Sequence, residues 1–158
     1  IMAAEWTYQV SYDPGLIAIS IGPSKATHEN IEETKYFGVS IASTEQTAVS
    51  SIAGGSSGRN VDKISALRDM GFSFSEGKHF DLLLVDESAL IMECKLVEQV
   101  VRGDHTIFIG EIMSILHDKD KSPLLYHAGK YWNLGEELPK PTDEERGNMK
   151  SFVEKHAK

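Results

Sequence analysis

The sequence predicts a mainly β domain with short helical insertions, its strands antiparallel and closing as a barrel. Three observations carry that reading. Strand-like runs fill residues 2–10, 16–21, 36–41, 89–100 and 104–116, and the helical patterns between them are short. No G-x-G-x-x-G follows a strand, and the glycine-rich stretch at 54–58 lacks the Gly-Lys-Ser/Thr ending of a phosphate loop. Repeated βαβ units are thereby disfavoured, and successive strands joined by turns remain.

Each element has its own signal. Residues 2–10 are rich in aromatic and β-branched side chains, and Tyr12-Asp13-Pro14-Gly15 reads as a turn, since Pro and Gly set the dihedrals that a turn needs. Residues 16–21 are nearly all apolar, as in a strand buried on both faces. A polar turn at 22–28 leads into a short helix over 28–34, with Thr27 as the expected N-cap. After the strand at 36–41, Ser43 or Thr44 is expected to cap a helix running to about Ile52. Residues 54–58 read as a flexible loop, and 61–70 as a helix that Gly71 stops. Residues 73–79 read as polar loop.

In the strand at 89–100, Leu90, Met92, Cys94 and Leu96 share one face, with Glu93 and Lys95 on the other. A second long strand covers 104–116, and residues 118–121 turn the chain. A hairpin of 124–126 with 130–133 surrounds His127-Ala128-Gly129. Residues 136–141 form a linker. Thr142 with Glu145 three residues on is a capping-box pattern that opens a helix to about His156. The apolar stripe of that helix, Met149, Phe152 and Val153, is expected to dock on the barrel or on a partner subunit. The organisation is therefore one domain over 1–135 and a linker with helix over 136–158.

Bulk properties exclude several function classes. With 158 residues, 41% hydrophobic and 25% charged, the chain can build one real core. The net charge of −8 argues against a nucleic-acid-binding face. No apolar run reaches the roughly 20 residues of a spanning helix, so no membrane association is expected. Cys94 is the single cysteine; it rules out an internal disulfide or a multi-thiolate metal site and favours the reducing cytoplasm. His79, His105, His127 and Glu111 show no HxH or HExxH spacing, so no metal is expected.

The turn Gly22-Pro23-Ser24-Lys25-Ala26-Thr27-His28 is where ligand chemistry first shows. The free N–H groups and positive end of the following helix form an anion site, and Lys25 adds a formal charge. The alternative is a capped, solvated loop. Against the negative mean field, Lys25, Arg59 and Lys63 either neutralise a phosphorylated ligand or are ordinary surface charges.

The order of blocks makes the reading more specific. AAEWTYQVSYDP (3–14), SKATHENI (24–31), YFGVSI (36–41), SSGRNVDKI (56–64), MECKLV (92–97), GDHTIFIGEI (103–112) and SPLLYHAGKYWNLG (122–135) follow one another as in the flavin reductase-like family with an FMN-binding split barrel, which this chain resembles over residues 2–135. The resemblance implies a split-barrel homodimer with FMN at the subunit interface, where residues 54–63 of the second chain or its C-terminal part close the site.

The FMN phosphate would lie at Ser24, Lys25, Ala26 and Thr27, with Arg59 and Lys63 as further cations. The strand 3–7, with Ala4, Glu5, Trp6 and Thr7, would run along the isoalloxazine. His28 and Asn30 would complete the ribityl and phosphate contacts, or else are first-turn surface residues. His105, next to Asp104, would position the nicotinamide, or else satisfies a neighbouring carbonyl. Trp6, Tyr131 and Trp132 stack near the flavin or fill a core. The implied activity is NAD(P)H-dependent flavin reduction, passing electrons to free flavin, ferric complexes or a partner protein. Alternatives are a flavoredoxin-like carrier without NAD(P)H activity and a non-catalytic dimeric flavin-binding protein.

The chain departs from the family pattern in three places. A strand expected ahead of residue 2 is not in this sequence. Glu5 is acidic where the resembled family often has a small or hydroxyl residue, and Pro14-Gly15 stands in place of the usual double proline.

Overall fold

A computed structural model describes residues 1–157; Lys158, the end of the expected C-terminal segment, lies outside the described residues. The chain order is β1 (Thr7–Tyr12), β2 (Gly15–Ile21), α1 (Ala26–Thr34), β3 (Tyr36–Ile41), α2 (Thr47–Gly55), α3 (Lys63–Asp69), β4 (Phe74–Glu76) and β5 (Leu83–Val85). Then come β6 (Leu90–Arg102), β7 (His105–His117), β8 (Leu125–His127), β9 (Lys130–Trp132) and α4 (Asp143–Glu154).

Five strands form one antiparallel sheet in the order β1-β2-β7-β6-β3. β1 and β3 are its edges, and no hydrogen-bonded ladder joins them, so the sheet is open where a barrel was expected. The remaining strands pair among themselves as the hairpins β4–β5 and β8–β9. Among the described residues, no helix is long and apolar enough to cross a membrane.

The core explains the order. Ile17, Ile19 and Ile21 of β2 pack with Ile31 of α1, Phe37 of β3, Met92 and Cys94 of β6, and Phe108 of β7. β2 lies between β1 and β7 and buries Ala18 as well as Ile17 and Ile19, which fits its unbroken apolar run. Gly110 makes the closest approach possible: a Cβ there would meet Phe37 Cζ at 2.5 Å and Cys94 Cβ at 2.9 Å. A smaller cluster of Val49, Leu67 and Val85 joins α2, α3 and β5.

Several expectations need correction. The first strand starts at Thr7 rather than residue 2. α1 starts at Ala26, so Thr27 lies inside its first turn and caps nothing. The reason is local: the Lys25 N–H closes a turn onto the Gly22 carbonyl at 3.1 Å, and the chain enters the helix directly. α2 starts at Thr47, because Ser43 is held in a bridge to Pro123 and its N–H donates to Gln46 Oε1. Gly54 and Gly55 belong to that helix and not to a loop. α3 is capped by Asp62, which accepts the Ser65 N–H at 3.1 Å, and Gly71 stops it at φ 91°.

The presumed loop at 73–79 contains β4, whose partner β5 is too short to give a sequence pattern. Glu93 does lie opposite the core face of β6, but the segment 78–80 covers it and it is buried. α4 has its capping box, yet none of its residues is buried: Met149, Phe152 and Val153 are 56%, 64% and 71% exposed. The helix is therefore not docked on its own sheet.

Candidate functional site

Two groups of sequence-predicted residues meet at one end of the sheet, where β2 runs into α1 and β7 begins. The first surrounds the start of α1. Ser24 and Lys25 are exposed on the turn, and Ala26 and Thr27 are half-buried in the first helical turn. The first N–H groups of a helix have no intrahelical acceptor, and the helix dipole puts positive charge there.

The segment 56–62 runs alongside: a Cβ on Gly58 would touch Ala26 Cβ at 4.0 Å. Arg59 reaches from this segment to Glu29, Nη2 to Oε1 at 2.6 Å. The hydrogen bond from Arg59, and then its charge, hold the Glu29 carboxyl below its ordinary range. Arg59 thus has a carboxylate partner on α1. The segment 56–62 therefore lies beside the turn within one chain.

Lys63 is not a surface charge; it is 5% exposed. Its Nζ donates to the Ala53 carbonyl at 2.8 Å, near the C-terminal end of α2, and to the Ile1 carbonyl at 3.1 Å. Carbonyls at a helix C-terminus are natural partners for an ammonium. Burial, and then the nearby charge of Lys25, push the Lys63 pKa down. Among the described residues, neither lysine has a carboxylate within ion-pair distance. A cavity of about 450 Å³ is lined by Gly58, Arg59, Asn60, Asp62 and Lys63, with Ile1, Val61 and Ile64.

The second group is set by strand register. β2 pairs Ile21 with Thr106, which brings Gly22 beside His105. A Cβ on Gly22 would lie 3.7 Å from His105 Nε2. His105 Nδ1 is 2.8 Å from Asp104 Oδ1, and the Trp6 ring lies 4.9 Å from the imidazole at a 51° tilt. Trp6 is itself tethered, its carbonyl accepting the Ser20 N–H at 3.0 Å. Ala4, Glu5 and Trp6 precede β1 and are exposed; only Thr7 is on the strand, so no strand spans residues 3–7.

His28 is a correction. It is buried, with Nε2 at 2.8 Å from Thr106 Oγ1, Nδ1 at 3.3 Å from Glu32, and its ring edge-on to Phe108. Both nitrogens are engaged inside the chain, so His28 anchors α1 to β7. Asn30 stays exposed on α1. Tyr131 and Trp132 belong to the β8–β9 hairpin. Tyr131 Oη is 2.9 Å from Ser51 Oγ, and Trp132 is exposed, its Nε1–H donating to the His127 carbonyl. Sequence reasoning missed the Glu29–Arg59 pair, whose members lie 30 residues apart with no local signature.

An open sheet whose turn, first helix and hairpin end carry this set matches a known family. A family model described as a flavin reductase like domain covers residues 1–135, and the chain belongs to that family. It is 31% identical over 127 residues to an NADH-dependent FMN reductase of Streptomyces nodosus subsp. asukaensis, covering 79% of this chain and 65% of that protein. Among solved structures it is similar to flavoredoxin of Desulfovibrio vulgaris (Miyazaki F), with TM-score 0.77, 31% identity, and 90% and 82% of the two chains covered. It is also similar to an FMN-binding protein from Thermus thermophilus, with TM-score 0.77, 28% identity, and 89% and 81% covered.

Proposed function

We propose that this chain binds FMN and works as an NAD(P)H-dependent flavin reductase, passing electrons on to flavin, ferric or partner-protein acceptors. The observation that carries the reading is the pair of lysines by the start of α1, Lys25 and Lys63, the charge of the first felt at the second, with no carboxylate at ion-pair distance from either among the described residues. A phosphate monoester dianion relieves that repulsion. The residues fit one: Lys25, the hydroxyls of Ser24 and Thr27, and the first-turn N–H groups can all reach an anion from outside. Lys63 is held on the Ala53 and Ile1 carbonyls and contributes to the local positive field.

The flavin, when bound, supplies the hydride-accepting ring. Direct hydride transfer between two rings needs no protein acid or base, so the chain contributes alignment and exclusion of water. His105 is the positioning group for the nicotinamide, and Trp6 the apolar wall beside it. The likeness to an NADH-dependent FMN reductase supports the activity proposed, flavin reduction by a nicotinamide nucleotide.

The reading includes a homodimer whose second copy completes the split barrel. Exposed Val97, Val101, Ile115 and Leu116 on β6 and β7 support it as apolar surface in need of cover. The likeness to flavoredoxin favours a second reading, an electron carrier that holds FMN without NAD(P)H activity. The test is the visible spectrum of the FMN-loaded protein under anaerobic NADH and NADPH. Rapid bleaching supports the reductase. A band that persists with both nucleotides yet yields to dithionite supports the carrier, and absence of flavin binding leaves a likeness of fold alone.

A further inference from the structure

We propose that α4 is an association surface for a second copy of this chain and pairs antiparallel with the α4 of that copy. Met149 of each then packs on Phe152 of the other, and Glu144 of each forms an ion pair with Lys155 of the other. The inference rests on the homodimer read above and adds a contact to it; it does not require flavin.

α4 is a complete helix without a partner in its own chain. Its capping box closes the N-terminal end, and none of its residues is buried. Met149, Phe152 and Val153 are each more than half exposed and share one stripe, at spacings of three and four residues. Pro141 of the preceding linker joins Glu145, Asn148, Met149 and Phe152 around a cavity of about 330 Å³ on that side of the helix. A protruding Phe beside a concave apolar surface is self-complementary, because what one copy offers another can fill.

Charge selects the occupant and its direction. Asp143 pairs with Arg146 and Lys150 with Glu154 inside the helix, while Glu144 and Lys155 have no ion pair among the described residues. These two lie about three helical turns apart and so line one flank of the helix. Lys155 Nζ is 5.2 Å from the centre of the Phe152 ring, which sets that flank beside the stripe. In an antiparallel pair this flank meets its own reverse, so Glu144 faces Lys155 twice, and the helix dipoles oppose. The register that mates Met149 with Phe152 leaves those charges within two residues of level, about 3 Å along the axis. A parallel pair sets Glu144 on Glu144 and Lys155 on Lys155, and a partner of one charge sign satisfies only one end. A reversed copy satisfies both.

The size of the contact limits what it does. A helix of 12 residues is about 18 Å long, and two of them bury less than the roughly 1,200 Å² at which stable interfaces begin. The pairing therefore serves as one part of a dimer interface, with the exposed sheet faces supplying the rest.

The test is sedimentation equilibrium of the full chain over a range of concentrations. Phe152→Ser should raise the dimer Kd roughly tenfold or more, as loss of a buried anchor does. Glu144→Lys and Lys155→Glu should each raise it roughly threefold or more, since every dimer carries the ion pair twice. An equimolar mixture of those two variants should recover the native Kd in the mixed dimer, and so should the double variant, because both put Lys opposite Glu again. A dimer that none of the single variants weakens overturns the proposal and leaves a homodimer held by the sheets alone. Weakening by the charge variants without recovery in the mixture overturns the antiparallel pairing and moves the stripe to another surface of the second copy. A native chain that stays monomeric overturns the proposal together with the homodimer, whereas the flavin spectrum bears only on the proposed function.

Discussion

The interior around Phe108 and the rim at residues 22–27 and 104–105 use similar polar groups in opposite ways. Inside, Glu93 accepts the N–H groups of Lys78, His79 and Phe80 and the Ser114 hydroxyl, and His28 has both nitrogens paired. On the rim, Lys25 has no ion-pair partner among the described residues, and His105 has one nitrogen paired and the other open. The difference separates two jobs. Polar groups that close on one another hold the chain together, and those left open are available to something outside it.

The comparison breaks most readily at the interior. Phe108 is fully buried against Ile19, Cys94 and their neighbours, so Phe108→Ala removes the centre of the core. The expected cost is about 3–5 kcal/mol, read from urea unfolding. A loss near zero would show that the packing around α1 and β7 does not hold the sheet together.

Glu93 comes next. Burial by itself would raise its pKa, but the three backbone N–H groups and Ser114 outweigh this and leave it lowered. A carboxyl with a lowered folded pKa contributes stability above its ordinary pKa and loses it as the pH falls through the folded value. Glu93→Ala should cost about 1–3 kcal/mol at neutral pH by orphaning those donors. The native protein should lose this advantage on acidification between the ordinary and the lowered pKa, so the two unfolding curves converge there. Parallel curves across that range would remove Glu93 from the acid response.

Rim substitutions should spare stability and change binding. Lys25→Glu sets a carboxylate at the proposed phosphate position, and FMN affinity should fall roughly ten- to hundredfold with little change in Tm. Unchanged affinity would take the phosphate away from this turn. His105→Ala should lower turnover with NAD(P)H more than it lowers FMN affinity. Kinetics like the native protein's would make His105 a structural end to β7.

How legible these regions were in the sequence follows the same division. Patterns carried by neighbours in sequence could be read: the apolar run of β2, the strand Tyr36–Ile41 and the Thr142–Glu145 capping box all stand where periodicity and capping chemistry put them. The order of blocks sufficed for the family, because it samples the whole chain at once. What depends on tertiary neighbours could not be read. Lys63 looks like any charged helix residue until α2 folds over it, and Arg59 looks free until Glu29 is beside it. His28 sits in a polar turn by sequence, yet Ile31 three residues on shares its buried helix face, and that spacing was the available signal. The three-residue strands β4 and β5 are too short for any period to show.

The smallest effect should come from α4, which is ordered by its own capping box rather than by packing. Thr142 and Glu145 satisfy one another's end of the helix reciprocally, and Asp143, Glu144 and Glu145 complement the positive end of its dipole. An amphipathic helix usually owes its stability to the face it buries, but no residue of this one is buried among the described residues. Phe152→Ser should therefore change unfolding at low protein concentration by less than about 0.5 kcal/mol, the range of an ordinary surface substitution. If a second copy covers the stripe, the same variant should raise the dissociation constant of the dimer in sedimentation, and the two measurements would part company. Equal effects on folding and assembly would mean that α4 packs on its own sheet in solution, and the interior would then extend to the C-terminal segment.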